Sequence, residues 1–223
     1  MSLVIAVSTV SDGNMAFHDN DDTKIVSKNR STFLAKYNID IQRTARVGVS
    51  YNTDDFCRYF EVTDIKQCSG MFGKDAVVCD AIITKLQNCA LFLPLADCIG
   101  AVIFDPAKNI LMLSHLGRHS VEQNGGYKSI KFLIDKYKCD PEELQIYLSP
   151  SAGRENYPIY AHDNCALKDL VLEQLQEVGI KDSNITDNTI DTTKDLNYFS
   201  HSEFLKGHRP TDDDYAIFAM IKS

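Results

Sequence analysis

Apolar residues come along this chain in short runs separated by polar turns, and the period of the runs changes several times. Leu3 to Val7 is a continuous apolar run of strand length, followed by Ser8-Thr9 and the turn chemistry of Asp12-Gly13-Asn14. A polar acidic loop, His18 to Thr23, leads into Lys24 to Tyr37, where Ile25, Phe33, Leu34 and Tyr37 fall close to helical spacing. Strands are expected at Val47 to Tyr51 and at Asp80 to Thr84, with an insertion-like loop from Lys66 to Lys74 between them. The middle is the most apolar part. One strand runs into Ala96-Asp97-Cys98, a second passes through Ala101 to Phe104, and a third follows the Asp105-Pro106 turn and ends at His115. Beyond it, Ser120 reads as the N-cap of a helix periodic at Ile130, Leu133, Ile134 and Tyr137, which Gly125-Gly126 weakens. A strand at Leu144 to Leu148 runs into the small-residue loop Ser149 to Arg154. An amphipathic helix from Ala166 to Val178, closed by Gly179, and a final strand at Tyr215 to Ile221 complete the pattern.

Strands and helices are thus mixed rather than strictly alternating, and hairpins flank the centre. That order predicts an α/β mixed-sheet sandwich rather than a Rossmann fold, for which no G-x-G-x-x-G is present. With 223 residues, residues 1–223 are expected to form one domain, and 44% hydrophobic residues supply its core. A net charge of −8 lacks the basic footprint of a nucleic-acid binder, so no nucleic-acid partner is expected. The N-terminal run has no signal-peptide pattern and no apolar stretch is long enough to span a bilayer, so no membrane partner is expected and a cytoplasmic location is. Seven scattered cysteines without a C-x-x-C pair fit reduced thiols.

Only Cys98 has a context that suggests chemistry. It stands seventeen residues before His115, and in an antiparallel strand-turn-strand both side chains are able to end at the same sheet edge. A thiol and an imidazole brought together in this way make two zinc ligands or a nucleophile-base pair; a packed thiol beside a satisfied imidazole is the plainer alternative. Asp54, Asp55 and Cys57 lie at a strand end where a further metal donor has room, although adjacent aspartates more often make a turn. Arg118 and His119, with a helix starting at Ser120, are candidates for holding phosphate.

The ordered set Ser8-Thr9, Asn29-Arg30, Asp80-Ala81, Ala96-Asp97-Cys98, His115-Leu116-Gly117, Ser149-Pro150, Tyr198-Phe199-Ser200 and Gly207-His208-Arg209 resembles the laccase-domain family. That family is described as multicopper polyphenol oxidoreductases and later as purine nucleoside phosphorylases. The resemblance spans nearly the whole chain, and its most specific part is Ala96-Asp97-Cys98 with His115. It implies a single-domain α-β-β-α sandwich with Cys98, His115 and Asp97 as catalytic residues. It also implies a zinc site on Cys98 and His115. The family's first histidine has no counterpart between Tyr51 and Cys57, so Cys57, Asp55 or Asp54 is implied as third ligand, Cys57 first. The family's Trp-Arg-Gly after the second histidine is Arg118-His119-Ser120 here, and its C-terminal arginine is Ser202. Asn29, Arg30, Arg118, His119 and Arg209 are implied as substrate and phosphate contacts. The implied activity is phosphorolysis of purine nucleosides, possible deamination of adenosine included, by a monomer or homodimer. Copper is not expected, because clustered histidines are missing. Two alternatives stay open: a metal-independent Cys-His hydrolase or deamidase, and a non-catalytic binding domain.

Overall fold

The computed structural model describes residues 2–18, 22–73 and 75–223, so residues 19–21 of the acidic loop and residue 74 lie outside the described residues. In chain order the elements are β1 (Ser2–Val7), α1 (Thr23–Ala35), β2 (Thr44–Arg46), β3 (Tyr59–Val62), β4 (Ala81–Thr84), β5 (Ala90–Leu95), β6 (Ile99–Asp105), β7 (Ile110–Leu116), α2 (Arg118–Glu122), α3 (Gly125–Tyr137), β8 (Gln145–Leu148), β9 (Pro158–Ile159), β10 (Cys165–Ala166), α4 (Leu167–Glu177), β11 (Ile185–Asp187), α5 (His201–Leu205) and β12 (Tyr215–Lys222). Among the described residues the strands form a four-stranded sheet, β1-β12-β5-β2, a six-stranded sheet, β11-β8-β6-β7-β4-β3, and a short β9-β10 ribbon.

The alternation of side chains along the strands sorts the core into three layers. On β12, Tyr215, Ile217, Ala219 and Ile221 meet Leu91, Leu93, Val102 and Leu113 between the sheets. Ala216, Phe218 and Met220 point the other way, onto Phe33 and Leu34 of α1. On the far face of the larger sheet, Ile103, Met112 and Leu116 pack with Ile130, Leu133 and Val171 of α3 and α4. The result is the expected α-β-β-α sandwich. Each fully buried Leu, Ile or Phe in these layers contributes about 1.5 to 3 kcal/mol relative to exposure. The sheets pack tightly at Gly100, where a β-carbon would stand 2.6 Å from Ile217 Cγ2. No helix among the described residues is long and apolar enough to cross a membrane.

Two local expectations are corrected. The strand expected at Val47 to Tyr51 lies earlier, at Thr44–Arg46, running parallel to β5. Val47 N–H still reaches Phe92 O at 2.9 Å, but the next bond of a parallel ladder needs an N–H from residue 94, and Pro94 has none. The chain leaves the sheet there and makes only a bridge from Gly48 to Val78. Ser120 is not an N-cap. Gly117 caps the five-residue α2, and Ser120 is buried inside it. The Gly125-Gly126 pair opens α3, because a β-carbon on Gly125 would meet Ser120 Oγ at 2.0 Å and one on Gly126 would meet Gln174 Oε1 at 3.1 Å. Glycine there permits close helix packing, and the helix-start anion site expected at Ser120 falls away with the cap.

Candidate functional site

The β6-β7 pairing brings Cys98 and His115 together. Their register sets Ile99 opposite Leu116 and Gly100 opposite His115. Carried one residue outward, it puts Cys98 opposite Gly117, which makes Cys98 and His115 diagonal neighbours on the face turned toward the smaller sheet. A β-carbon on Gly117 would lie 2.9 Å from Cys98 Sγ, 2.9 Å from His115 Cε1 and 3.2 Å from His115 Nε2. The thiol and the imidazole therefore close around one glycine. Gly117 has φ −93°, a backbone open to any residue, so Gly117→Ala changes little except that contact. We expect this variant to fold normally and to lose about 100-fold in turnover, read by steady-state kinetics beside a thermal melt.

Acidic residues fix the pair from behind. The backbone carbonyl of Asp80 accepts His115 N–H at 2.8 Å, while its carboxylate takes a bidentate grip from Arg58, Nε at 2.8 Å and Nη2 at 3.0 Å. Asp97, at φ 75° and buried, accepts from Thr192 Oγ1 at 2.9 Å and from Ser202 N–H at 2.7 Å. Both its oxygens are engaged in tying the 192 loop and the start of α5 to the turn that carries Cys98. Asp97, expected to be catalytic, lines the cavity with both carboxylate oxygens already bonded.

Cys98 and His115 form part of the wall of a cavity of about 470 Å³, within the range of small-molecule sites. Another wall is aromatic: the His119 ring stacks on Phe56 at 4.8 Å and 22°, and Tyr51 meets both at 6.3 and 6.1 Å. This wall is held in place because Gln123 accepts from Phe56 N–H and donates to Asp54 O. Arg118, exposed, and Arg46, largely buried, add positive charge, and Ala16, Phe17, His18, His201, Asp212 and Asp214 line the remaining side. Arg46 donates from Nε to Gly70 O at 2.6 Å.

The protein environment fixes the protonation of the central pair. Burial, with the charges of Asp97 and Asp214, pushes the Cys98 thiol up to about 12 against the opposing pull of Arg118. Burial likewise lowers the His115 imidazole to about 4, Asp80 opposing. At neutral pH both are uncharged. A neutral thiol beside a neutral imidazole differs from the thiolate-imidazolium pair found at the most reactive cysteines.

Several expected residues stand elsewhere. Cys57 is absent from the cavity wall; it sits on the side of Tyr59 and Lys128, and burial raises its thiol. Its segment sends Phe56 into the cavity instead. Asn29 and Arg30 do not line the cavity either. Asn29 Nδ2 donates to Asn14 O at 3.1 Å, and the fully buried Arg30 donates to the carbonyls of Met15, Gly70 and Met71 with its guanidinium 4.0 Å above the Phe17 ring. They brace the segment that supplies Ala16, Phe17 and His18. Arg209 donates to Thr193 O at 3.1 Å and so supports the loop that holds Asp97. Tyr51, Phe56, Arg46, Tyr157 and Asp214 were not among the expected site residues. Arg46 had a signal, a charge between Ala45 and Val47 in an apolar stretch.

The zinc implied by the resemblance does not fit the donors present. A catalytic zinc needs three protein ligands, and no group of three His, Cys, Asp or Glu side chains able to hold a metal occurs among the described residues. The donor that was to come from residues 54–57 is replaced at the cavity by a phenyl ring.

Comparison with known proteins bears on this geometry. The pattern of the multi-copper polyphenol oxidoreductase laccase family matches residues 5–166. The chain is 24% identical over 148 residues to the purine nucleoside phosphorylase YlmD of Bacillus subtilis, covering 66% of this chain and 52% of that protein. It is 25% identical over 114 residues to the purine nucleoside phosphorylase LACC1 of Mus musculus, covering 51% of this chain and 26% of that protein. The matched region thus spans about half the length of the first relative and about a quarter of the second. In three dimensions it superposes on YlmD of Geobacillus stearothermophilus with a TM-score of 0.87 at 17% identity, over 99% of this chain and 92% of that one.

Proposed function

The chain belongs to the multi-copper polyphenol oxidoreductase laccase family, and from that premise we propose that it cleaves purine nucleosides with inorganic phosphate, releasing the base and a pentose 1-phosphate. One observation carries the reading: Cys98 and His115 converge in a cavity of about 470 Å³ that has an aromatic wall and the exposed Arg118. The names of the two curated relatives support it.

Each part of the cavity answers a part of the substrate. A purine stacks on the Phe56, His119 and Tyr51 wall, an arrangement worth about 0.5 to 1.5 kcal/mol per aromatic pair beyond area burial. Arg118 binds phosphate through charge-assisted hydrogen bonds. The neutral His115 imidazole accepts a hydrogen bond from the sugar, and the protonated Cys98 thiol packs beside it, so the pair orients the ribose for attack at C1′. No step is assigned to a metal, because the described residues bring together no set of three ligands. Adenosine deamination, implied by the resemblance through a zinc-bound water, stays outside the proposal.

The test is base release from inosine and adenosine with and without phosphate. Release is expected to require phosphate, and Arg118→Ala is expected to raise the phosphate KM roughly 10- to 100-fold, since a hydrogen bond to a charged group is worth about 1.5 to 3 kcal/mol. Release independent of phosphate, or an unchanged phosphate KM in the variant, contradicts the assignment.

A further inference from the structure

Among the described residues three carboxylates line the cavity, and two of them are engaged. Asp97 spends both oxygens on Thr192 and Ser202, and Asp212 Oδ1 is 2.7 Å from His201 Nδ1. Asp214 is held differently. Its backbone is fixed by Met15 N–H, which donates to its carbonyl at 2.9 Å, and by its own N–H, which donates to Asn14 Oδ1 at 3.2 Å. Immediately after it, Tyr215 begins β12 and anchors its hydroxyl on Pro150 O at 2.7 Å. The carboxylate itself stands 4.0 Å from His18 Nε2, beyond hydrogen-bond length. The backbone is therefore rigid while the carboxyl group faces the cavity.

Asp214 lines the same cavity as the aromatic wall. Tyr51, which touches Phe56 and His119, feels the charge of both Cys98 and Asp214. On the phosphorylase reading, a purine stacked on that wall shares the cavity with this carboxyl group and meets it at an edge of the base. When phosphate displaces a purine, the electron pair of the C1′–N9 bond passes into the base, and the base leaves readily only if a ring nitrogen takes up a proton.

Resting on the phosphorylase reading, we propose that Asp214 is the acid that protonates the leaving purine at N7. In the step the carboxyl O–H bond breaks and the N7–H bond forms. The C1′–N9 pair moves into the base while a phosphate oxygen bonds to C1′, and the base departs neutral. Solvent then returns a proton to the carboxylate.

The surroundings supply the acidity this role needs. Burial together with Asp212 and Asp213 raises the Asp214 carboxyl to about 7, against His18 and His201. From the other elements, Arg30 and Arg46 face it with positive charge, and Cys98, Tyr51 and Tyr215 also sense it. A substantial share is protonated at neutral pH, and that share declines as pH rises through about 7.

The test compares inosine with 7-methylinosine, whose N7 already carries a methyl group and positive charge and needs no proton to leave. Asp214→Asn is expected to lower kcat/KM for inosine by about 100-fold or more, a typical worth for general acid catalysis, and for 7-methylinosine by less than about tenfold. The fall in wild-type kcat/KM for inosine through pH 7, corrected for the ionisation of phosphate common to both proteins, is expected to vanish in the variant. Turnover of 7-methylinosine doubles as the check that the variant is folded. Equal losses on both nucleosides overturn the proposal and make Asp214 structural. Failure of the wild-type protein on both removes the phosphorylase reading, and the acid with it.

Discussion

His115→Ala and Cys98→Ala are each expected to cut nucleoside turnover by about 100- to 1,000-fold while leaving the fold and the phosphate KM nearly unchanged. The expectation follows from the register of β6 and β7. The two side chains reach one point over Gly117 because Cys98 immediately precedes β6 and His115 sits near the end of β7, two fully buried, paired strands. Groups that orient a substrate act on kcat, since displacement of the reacting atoms by about 1 Å costs on the order of 100-fold. Arg118, by contrast, is exposed, and its loss is expected in the phosphate KM. His115 stays neutral down to about pH 4, so it puts no limb on the pH-rate profile between neutrality and that value. Steady-state constants for the two variants, with circular dichroism spectra matched to wild type, check this. A full-strength kcat in either variant would remove the pair from the site.

Arg30→Ala is expected to destabilise the protein by about 3 to 5 kcal/mol, a loss of roughly 10 °C in Tm. Arg30 is fully buried in α1, and burial with the neighbouring Arg46 lowers it to about 9. Its donors satisfy the carbonyls of Met15, Gly70 and Met71, which lie on two segments far apart in sequence. Without them those carbonyls lose their partners in a water-poor interior, each at a cost of about 1 to 3 kcal/mol. Arg30→Lys is expected to recover only part of the loss, because an ammonium cannot reproduce the planar fork. Thermal and urea melts read both variants. A change in Tm under about 3 °C for Arg30→Ala would show that the bonds contribute little.

The sandwich was legible because the apolar runs alternate or cycle with their elements, and the meeting of Cys98 and His115 was legible in the strand-turn-strand spacing. What the sequence hid depended on contacts between distant segments. Pairing of β2 with β5 is decided by Pro94, half a sheet away in sequence, so the early strand end was misplaced. Arg30 reads as an exposed cation on a helix, and only the docking of two loops onto α1 makes it a brace. Cys57 looked like a metal donor because cysteine is one. Its neighbour Phe56 is the residue that the Gln123 clamp turns inward. Asp214 sits in a run of three aspartates before a strand, a pattern that ordinarily marks a solvated turn. Its partial burial follows from its place immediately before β12, the second strand of the smaller sheet, flanked by β1 and β5.

The most direct measurement of the central claim is the identity of the sugar product, read by phosphorus NMR on wild-type protein incubated with inosine and inorganic phosphate. The account predicts a new resonance from pentose 1-phosphate growing in proportion to released hypoxanthine. Hypoxanthine released with free ribose and an unchanged phosphate signal would contradict it.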